Sequence, residues 1–133
     1  MAVTGAVNPV YEPGDNITRT VASGQSVVGG KLVEVTNNAA GTVQHAAAGS
    51  IKVLGVARHS AAAGELVLIS RVGVYNLTAA GAVTAGDVLF AGAAGTVATG
   101  SFAAAGDAGK KVGIALAAIA DTATGPVALG GML

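Results

Sequence analysis

The stretch "AAGAVTAGDVLFAGAAGTV", residues 79–97, carries one charge, Asp87, and almost everything in it that is not Val, Leu or Phe is Ala, Gly or Thr. It reads as a Gly-led turn, a short apolar strand beginning at Asp87, and a second turn that closes on Gly-Thr-Val. The same unit occurs earlier: "GGKLVEVTNNAAGTV" at 29–43 resembles "AGDVLFAGAAGTV" at 85–97. Each copy is followed by a similar run, "VLGVA" at 53–57 or "VGIAL" at 112–116, and then by a Gly-containing strand, "AGELVLI" at 63–69 or "TGPVAL" at 124–129. Two copies are too few, and their period too long, for a solenoid, so the pattern predicts two similar halves of one small β-barrel or sandwich.

Working outward from the repeat, Gly and Pro punctuate short runs rich in Val, Ile and Leu at 31–35, 51–57, 65–70, 73–77, 87–91, 111–116 and 126–129. This predicts a mainly β chain. Alternation in Leu32 and Glu34 against Val33 and Val35, or in Val72 and Val74 against Gly73 and Tyr75, predicts strands with one buried face. "VGIALAAIA" at 112–120 mixes strand-forming Val and Ile with helix-favouring Ala, and its first half is read as strand. Residues 1–21 differ from the rest. They hold Pro9, Pro13, Tyr11, Glu12, Asp15 and Arg19, and Pro cannot donate to a central ladder, so the expected organisation is an extended arm over 1–21 and a single β-rich domain over 22–133.

Composition narrows the function classes. The chain has 133 residues, no Cys, seven basic and seven acidic side chains and 11% charged residues, against about 25% in an average soluble domain. Its mean hydropathy is +0.65. Scattered, balanced charge argues against nucleic acid as a partner, and with aromatics at 3% there is no stacking platform for single strands. Much of the apolar surface is therefore expected to face other protein chains, with 88–105 the candidate self-contact segment by composition. No apolar run is long enough to cross a membrane without several Gly, Ser and Thr interruptions, and no basic residue precedes Arg19, so no signal peptide is expected.

The chemical inventory is thin. His45 and His59 lie in Ala- and Gly-rich stretches without metal-ligand spacing and read as exposed loop residues. Asp15, Glu65 and Asp87 each follow a Gly. Paired carboxylates would suit acid–base chemistry, but a Gly that supplies a positive φ and a carboxylate that accepts backbone N–H groups explain all three as turn-stabilising residues. No phosphate-binding Gly motif is present. No catalytic residue, cofactor, metal or small-molecule substrate is expected.

The order of motifs then resembles a known family. "YEPGDNITRTV", "ASGQSVVGGKLVEV", "GVARHSAAAGELVLISRVGVYNL", "TAGDVLFA" and "VGIALAAIADTATGPVAL" follow the pattern of tailed-phage capsid cement or decoration proteins, the most specific part being "AGELVLISRVGVYNL" followed by "TAGDVLF". The resemblance implies a β-rich protein, similar in role to lambda-like head decoration proteins, that binds the outer surface of the assembled head as a homotrimer, contacts the major capsid protein and stabilises the shell against internal DNA pressure. It carries over no active site. Val7, Pro9, Val10, Tyr11, Pro13 and Ile17 are the candidate capsid-binding residues of the arm, adding a strand to an exposed sheet edge; equally, Tyr11 and Ile17 could cover an end of the chain's own barrel. Another virion subunit, of the tail or a minor shell component, is the alternative reading, and a ligand-binding β-barrel or enzyme is the different-class one.

Overall fold

A computed structural model describes residues 16–37, 39–101, 103 and 106–130. Twelve strands are named in chain order: β1 (Asn16–Thr20), β2 (Ser26–Val27), β3 (Leu32–Val35), β4 (Val43–His45), β5 (Val53–Ala57), β6 (Ala61–Ala62), β7 (Leu66–Ser70), β8 (Gly73–Thr78), β9 (Val88–Ala91), β10 (Val97–Thr99), β11 (Lys111–Ala115) and β12 (Thr124–Leu129). The seven apolar runs read from the sequence fall on β3, β5, β7, β8, β9, β11 and β12. The strand reading of "VGIALAAIA" holds for its first half, within β11.

Two five-stranded sheets carry the fold, and they have the same topology. The first runs β1-β7-β5-β3-β4 and the second, read from its corresponding edge, β8-β12-β11-β9-β10. Their correspondence extends to single hydrogen bonds. Gly30 N–H donates to Ala57 O and Gly86 N–H to Ala115 O, both at 2.8 Å, while Ala22 N–H donates to Val43 O at 2.8 Å and Ala80 N–H to Val97 O at 2.7 Å. Gly30 and Gly86 have φ of 86° and 88°, a conformation that a Cβ disfavours, which is why the two turns share a Gly. The two halves read from the sequence are thus two copies of one sheet, and the copies start earlier than the sequence repeat, at β1 and β8. Among the described residues no closed barrel forms: the residue after each first strand, Val21 or Ala79, touches the opposite edge through one isolated parallel bridge, to Val43 or Val97.

A β-bulge recurs at the same place in both sheets. Val33 and Glu34 face Gly55 and Val53, leaving Leu54 unpaired; Leu89 and Phe90 face Gly113 and Lys111, leaving Val112 unpaired. The bulge bends the strand towards its neighbour, and a Cβ on Gly55 or Gly113 would run into the carbonyl of Ser70 or Ala128 on the next strand. Only Gly fits so close a backbone approach.

Each half encloses apolar side chains. Val21, Val27, Val33, Val43, Ala57, Ala61, Val67 and Ile69 form the first core. The second, built on Leu77, Leu89, Val97, Ile119, Val127 and Leu129, also takes in Leu32, Ala46 and Val56 from the first half. Consequently β3 is buried on both faces, Val33 to its own core and Leu32 to the other half, where its alternation had predicted one buried face. Burying Leu32 and Val56 there contributes roughly 1.5–3 kcal/mol each, and Gly95 N–H to Ala46 O at 2.9 Å and Gly49 N–H to Ala91 O at 2.8 Å pin the halves together.

Candidate interaction surface

The three Gly-following carboxylates were the chemical candidates. Glu65 Oε1 accepts the N–H of Ala62 at 2.7 Å, and Asp87 Oδ2 accepts the N–H of Thr84 at 2.9 Å and the hydroxyl of Thr99 at 3.0 Å. Each carboxylate braces the turn that leads into its strand, Glu65 in the first half and Asp87 in the second. Asp121, not singled out from the sequence, accepts the N–H of Gly81 at 2.8 Å, a contact across 40 residues that no local motif announces. Asp15 lies outside the described residues, as do Val7, Pro9, Val10, Tyr11 and Pro13. Ile17 is in β1, opposite Ile69, and packs half-buried against the first core. Residues 16–21 of the expected arm therefore belong to the first half, as β1 and the bridging Val21.

Sequence reasoning missed Glu34. It is buried in β3, where Oε1 accepts the N–H of Ala47 at 2.9 Å and Oε2 the amide of Gln44 at 2.9 Å. Burial pushes its pKa up, but the hydrogen bonds from Ala47, Gln44 and Ser50 and the charge of Lys52 outweigh that and hold it below the ordinary carboxylate value. His45 ends β4, half-buried rather than in an exposed loop. Its Nε2 accepts the N–H of Val28 at 3.0 Å, and burial, with a smaller push from the Lys31 charge, lowers its pKa. His59 is exposed, and its Nε2 accepts the N–H of Leu68 at 3.2 Å. Both imidazoles thus serve as backbone acceptors.

These groups do not converge. Among the described residues no set of three or more His, Asp and Glu could hold a metal ion. The depression of about 140 Å³ where the halves meet is lined by Ile51, Val53, Arg71, Lys111, Leu129 and neighbours, without a carboxylate or imidazole. An acid–base pair facing a shared cavity, which catalysis of that kind requires, is not built from the described side chains.

What the surface offers instead is apolar area and sheet edges. Val28, Ile51, Leu66, Val72, Val74 and Leu116 are large apolar side chains between 47% and 68% exposed. Val74 lies on β8, an edge strand of the second sheet, and Leu116 follows β11, its N–H donating to Pro126 O at 3.0 Å. Of the segment expected to make self-contacts, Leu89, Ala91 and Val97 are buried in the chain's own second core.

Residues 11–132 match the family described as phage cement protein. No curated protein matches the chain. Among solved structures, the fold is similar to the N base of the head fiber of bacteriophage phi29, with a TM-score of 0.67 and 17% identity over 86% of this chain and 94% of that one.

Proposed function

The chain belongs to the phage cement protein family, a structural component of the virion, and from that premise we propose that it decorates the outside of the assembled head as a homotrimer, binding the major capsid protein. The family match across residues 11–132 carries this reading. Supporting it, the surface presents apolar side chains and sheet edges and the polar groups are spent on turns and strand ends, an economy that suits a role in building a particle rather than in catalysis.

The stabilising effect follows from linkage. A protein that binds the mature shell and not its disassembled subunits shifts the equilibrium towards the shell by RT ln(1 + [L]/Kd), about 2.7 kcal/mol per site when the free concentration is 100 times Kd. Many sites on one head multiply that gain, which opposes the pressure of packaged DNA. In a trimer, the first docked arm raises the effective concentration of the other two. The residues ahead of β1 are the docking arm in this reading. Val7, Val10 and Tyr11 are its anchors, and Pro9 and Pro13 favour the extended form that pairs with a sheet edge.

A second reading, that the protein is the base of a longer head appendage, is favoured by its likeness to the N base of the phi29 head fiber. Cryo-electron microscopy of heads incubated with the protein tests both. Separate trimeric density on the outer surface supports decoration. Density continuing into a projecting stalk supports the appendage, and bare heads refute both.

A further inference from the structure

The depression where the halves meet is flanked by the two β-bulges. Leu54 and Val112, the residues those bulges leave unpaired, both line it, together with Leu32 and Leu129. Bulges are common beside functional sites because they re-aim side chains. Here they border about 140 Å³ of open space with an apolar lining and two cations, Arg71 and Lys111. Ile51, on its wall, is 68% exposed.

Arg71 and Lys111 make no ion pair or side-chain hydrogen bond among the described residues, and no carboxylate lines the depression. The acids of the described residues are committed elsewhere. Glu34, Glu65, Asp87 and Asp121 each accept a backbone N–H, and Asp107 pairs with Lys110 at 3.0 Å. The described residues hold all seven basic side chains but only these five of the seven acidic ones. The other two are Glu12 and Asp15, in "EPGD" at 12–15, immediately ahead of β1. β1 starts at Asn16, opposite Ser70, and the residue after Ser70 is Arg71. The chain therefore enters β1 beside the depression, and the two acids missing from the charge balance come just before that point.

We propose that residues 12–15 are seated on the depression of their own chain, with Asp15 facing Arg71, Glu12 facing Lys111 and Pro13 on the apolar lining. One further step of the β1–β7 register sets residue 15 opposite Arg71, a favourable cross-strand pairing of opposite charges. Four extended residues span at most about 13–14 Å, and Arg71 and Lys111 border the same depression, so one short segment reaches both. Residues 131–133, which follow the lining residue Gly130, bring no acidic side chain and match the two cations less well. A seated root fixes the point from which Val7, Val10 and Tyr11 leave the domain, and so lowers the ordering cost when they dock. The seat requires no shell, so it holds or fails apart from the decoration reading.

Chymotrypsin cleavage after Tyr11, followed by mass spectrometry, tests the seat, because residues 12–14 must enter the protease for that bond to be cut. The full chain is compared with a synthetic peptide of residues 1–19. The expected result is cleavage about tenfold slower in the chain than in the peptide, since the rate follows the fraction of chains with the segment unseated. Arg71→Glu, Lys111→Glu and Asp15→Lys should each raise the rate towards that of the matching peptide. Asp15→Lys combined with Arg71→Glu should restore the protection, and high salt should weaken it. Circular dichroism and melting check the folding of the variants at 71 and 111; Asp15→Lys leaves the depression intact and carries the test should they not fold. Cleavage as fast as in the peptide overturns the proposal, as does protection that survives all the charge reversals. Protection that fades on dilution belongs to the arm of another copy and overturns the intrachain seat. Occupancy on purified heads is measured in parallel: a protected segment with bare heads keeps the inference and removes decoration, and an unprotected segment on occupied heads does the reverse.

Discussion

Replacing Gly55 or Gly113 by Ala tests the duplicated architecture at its tightest point. The added methyl at Gly55 meets the Ser70 carbonyl and lies 3.0 Å from Ile69 Cγ2; at Gly113 it meets the Ala128 carbonyl and lies 3.2 Å from Val127 Cγ1. Because the obstacle is backbone in a neighbouring strand, no rotamer change relieves it and the strands must part. Overpacking of this kind costs about 1–3 kcal/mol, from which the lower unfolded-state entropy of Ala returns about 0.4–1 kcal/mol. The net loss is therefore roughly 1–2 kcal/mol per site, or about 4–8 °C in Tm at about 4 °C per kcal/mol for a domain of this size. Gly109→Ala is the control, since its methyl would meet only Ile51 Cγ2 at 3.9 Å, and it should be neutral to stabilising by up to about 1 kcal/mol. Thermal and urea unfolding followed by circular dichroism read all three. If either bulge variant melts with the unsubstituted protein, the close approach is absent at that site and the equivalence of the two sheets fails there.

Four further outcomes follow from the polar groups and the arm. Glu34→Gln should cost about 1–3 kcal/mol near neutral pH through the loss of charge-assisted hydrogen bonds. Because the folded pKa of Glu34 lies below 4.5, its contribution is complete above that value and is lost as pH falls through the folded one, so the variant should show a shallower acid limb in denaturation against pH. His45, also lowered in the fold, from 6.5, makes stability decline as pH drops below about that value; His45→Gln should remove this earlier loss, and an unchanged profile would contradict the lowered pKa of the half-buried imidazole. Asp87→Ala frees the Thr84 N–H and the Thr99 hydroxyl, both exposed to water, so unfolding experiments should find a loss of only about 0.5–1.5 kcal/mol. Deleting residues 1–10 should leave the melting temperature unchanged and lower occupancy on purified heads in a co-sedimentation assay; equal occupancy would take the arm out of the docking mechanism.

How much of this was legible depended on whether a feature is local. The turn that sets each half, with Gly30 or Gly86 followed by a charged residue and an apolar run, is written in consecutive residues, and so were the repeat and seven of the strands. β1 was hidden because Pro9 and Pro13 colour the whole N-terminal stretch, although Asn16–Thr20 itself pairs along β7. β4 and β10 have three residues each, too few for a period of two to declare itself. Glu34 was misread as half of a simple alternation because its burial depends on Gln44 and Ala47, which come from another strand and the turn beyond it. The bulges were invisible for the same reason: the need for Gly at 55 and 113 is set by carbonyls on neighbouring strands, Ser70 and Ala128, while the sequence there shows only one more Gly among many.

Each half is too small to stand comfortably by itself. A unit of about 60 residues buries only about 60% of the surface its unfolded chain exposes, and these halves are poor in aromatics and rich in Ala, so the area available per residue is lower still. The structure meets this shortage by sharing: Leu32, Ala46 and Val56 leave the first half and complete the second core, and β3 is thereby buried on both sides. Sharing makes the junction between halves part of the core, unlike an interface between independent domains, which is generally smaller and more polar. The junction uses the outer face of the first sheet alone: Leu32 and Val56 are covered there, whereas Val74 and Leu116 on the second sheet stay more than half exposed.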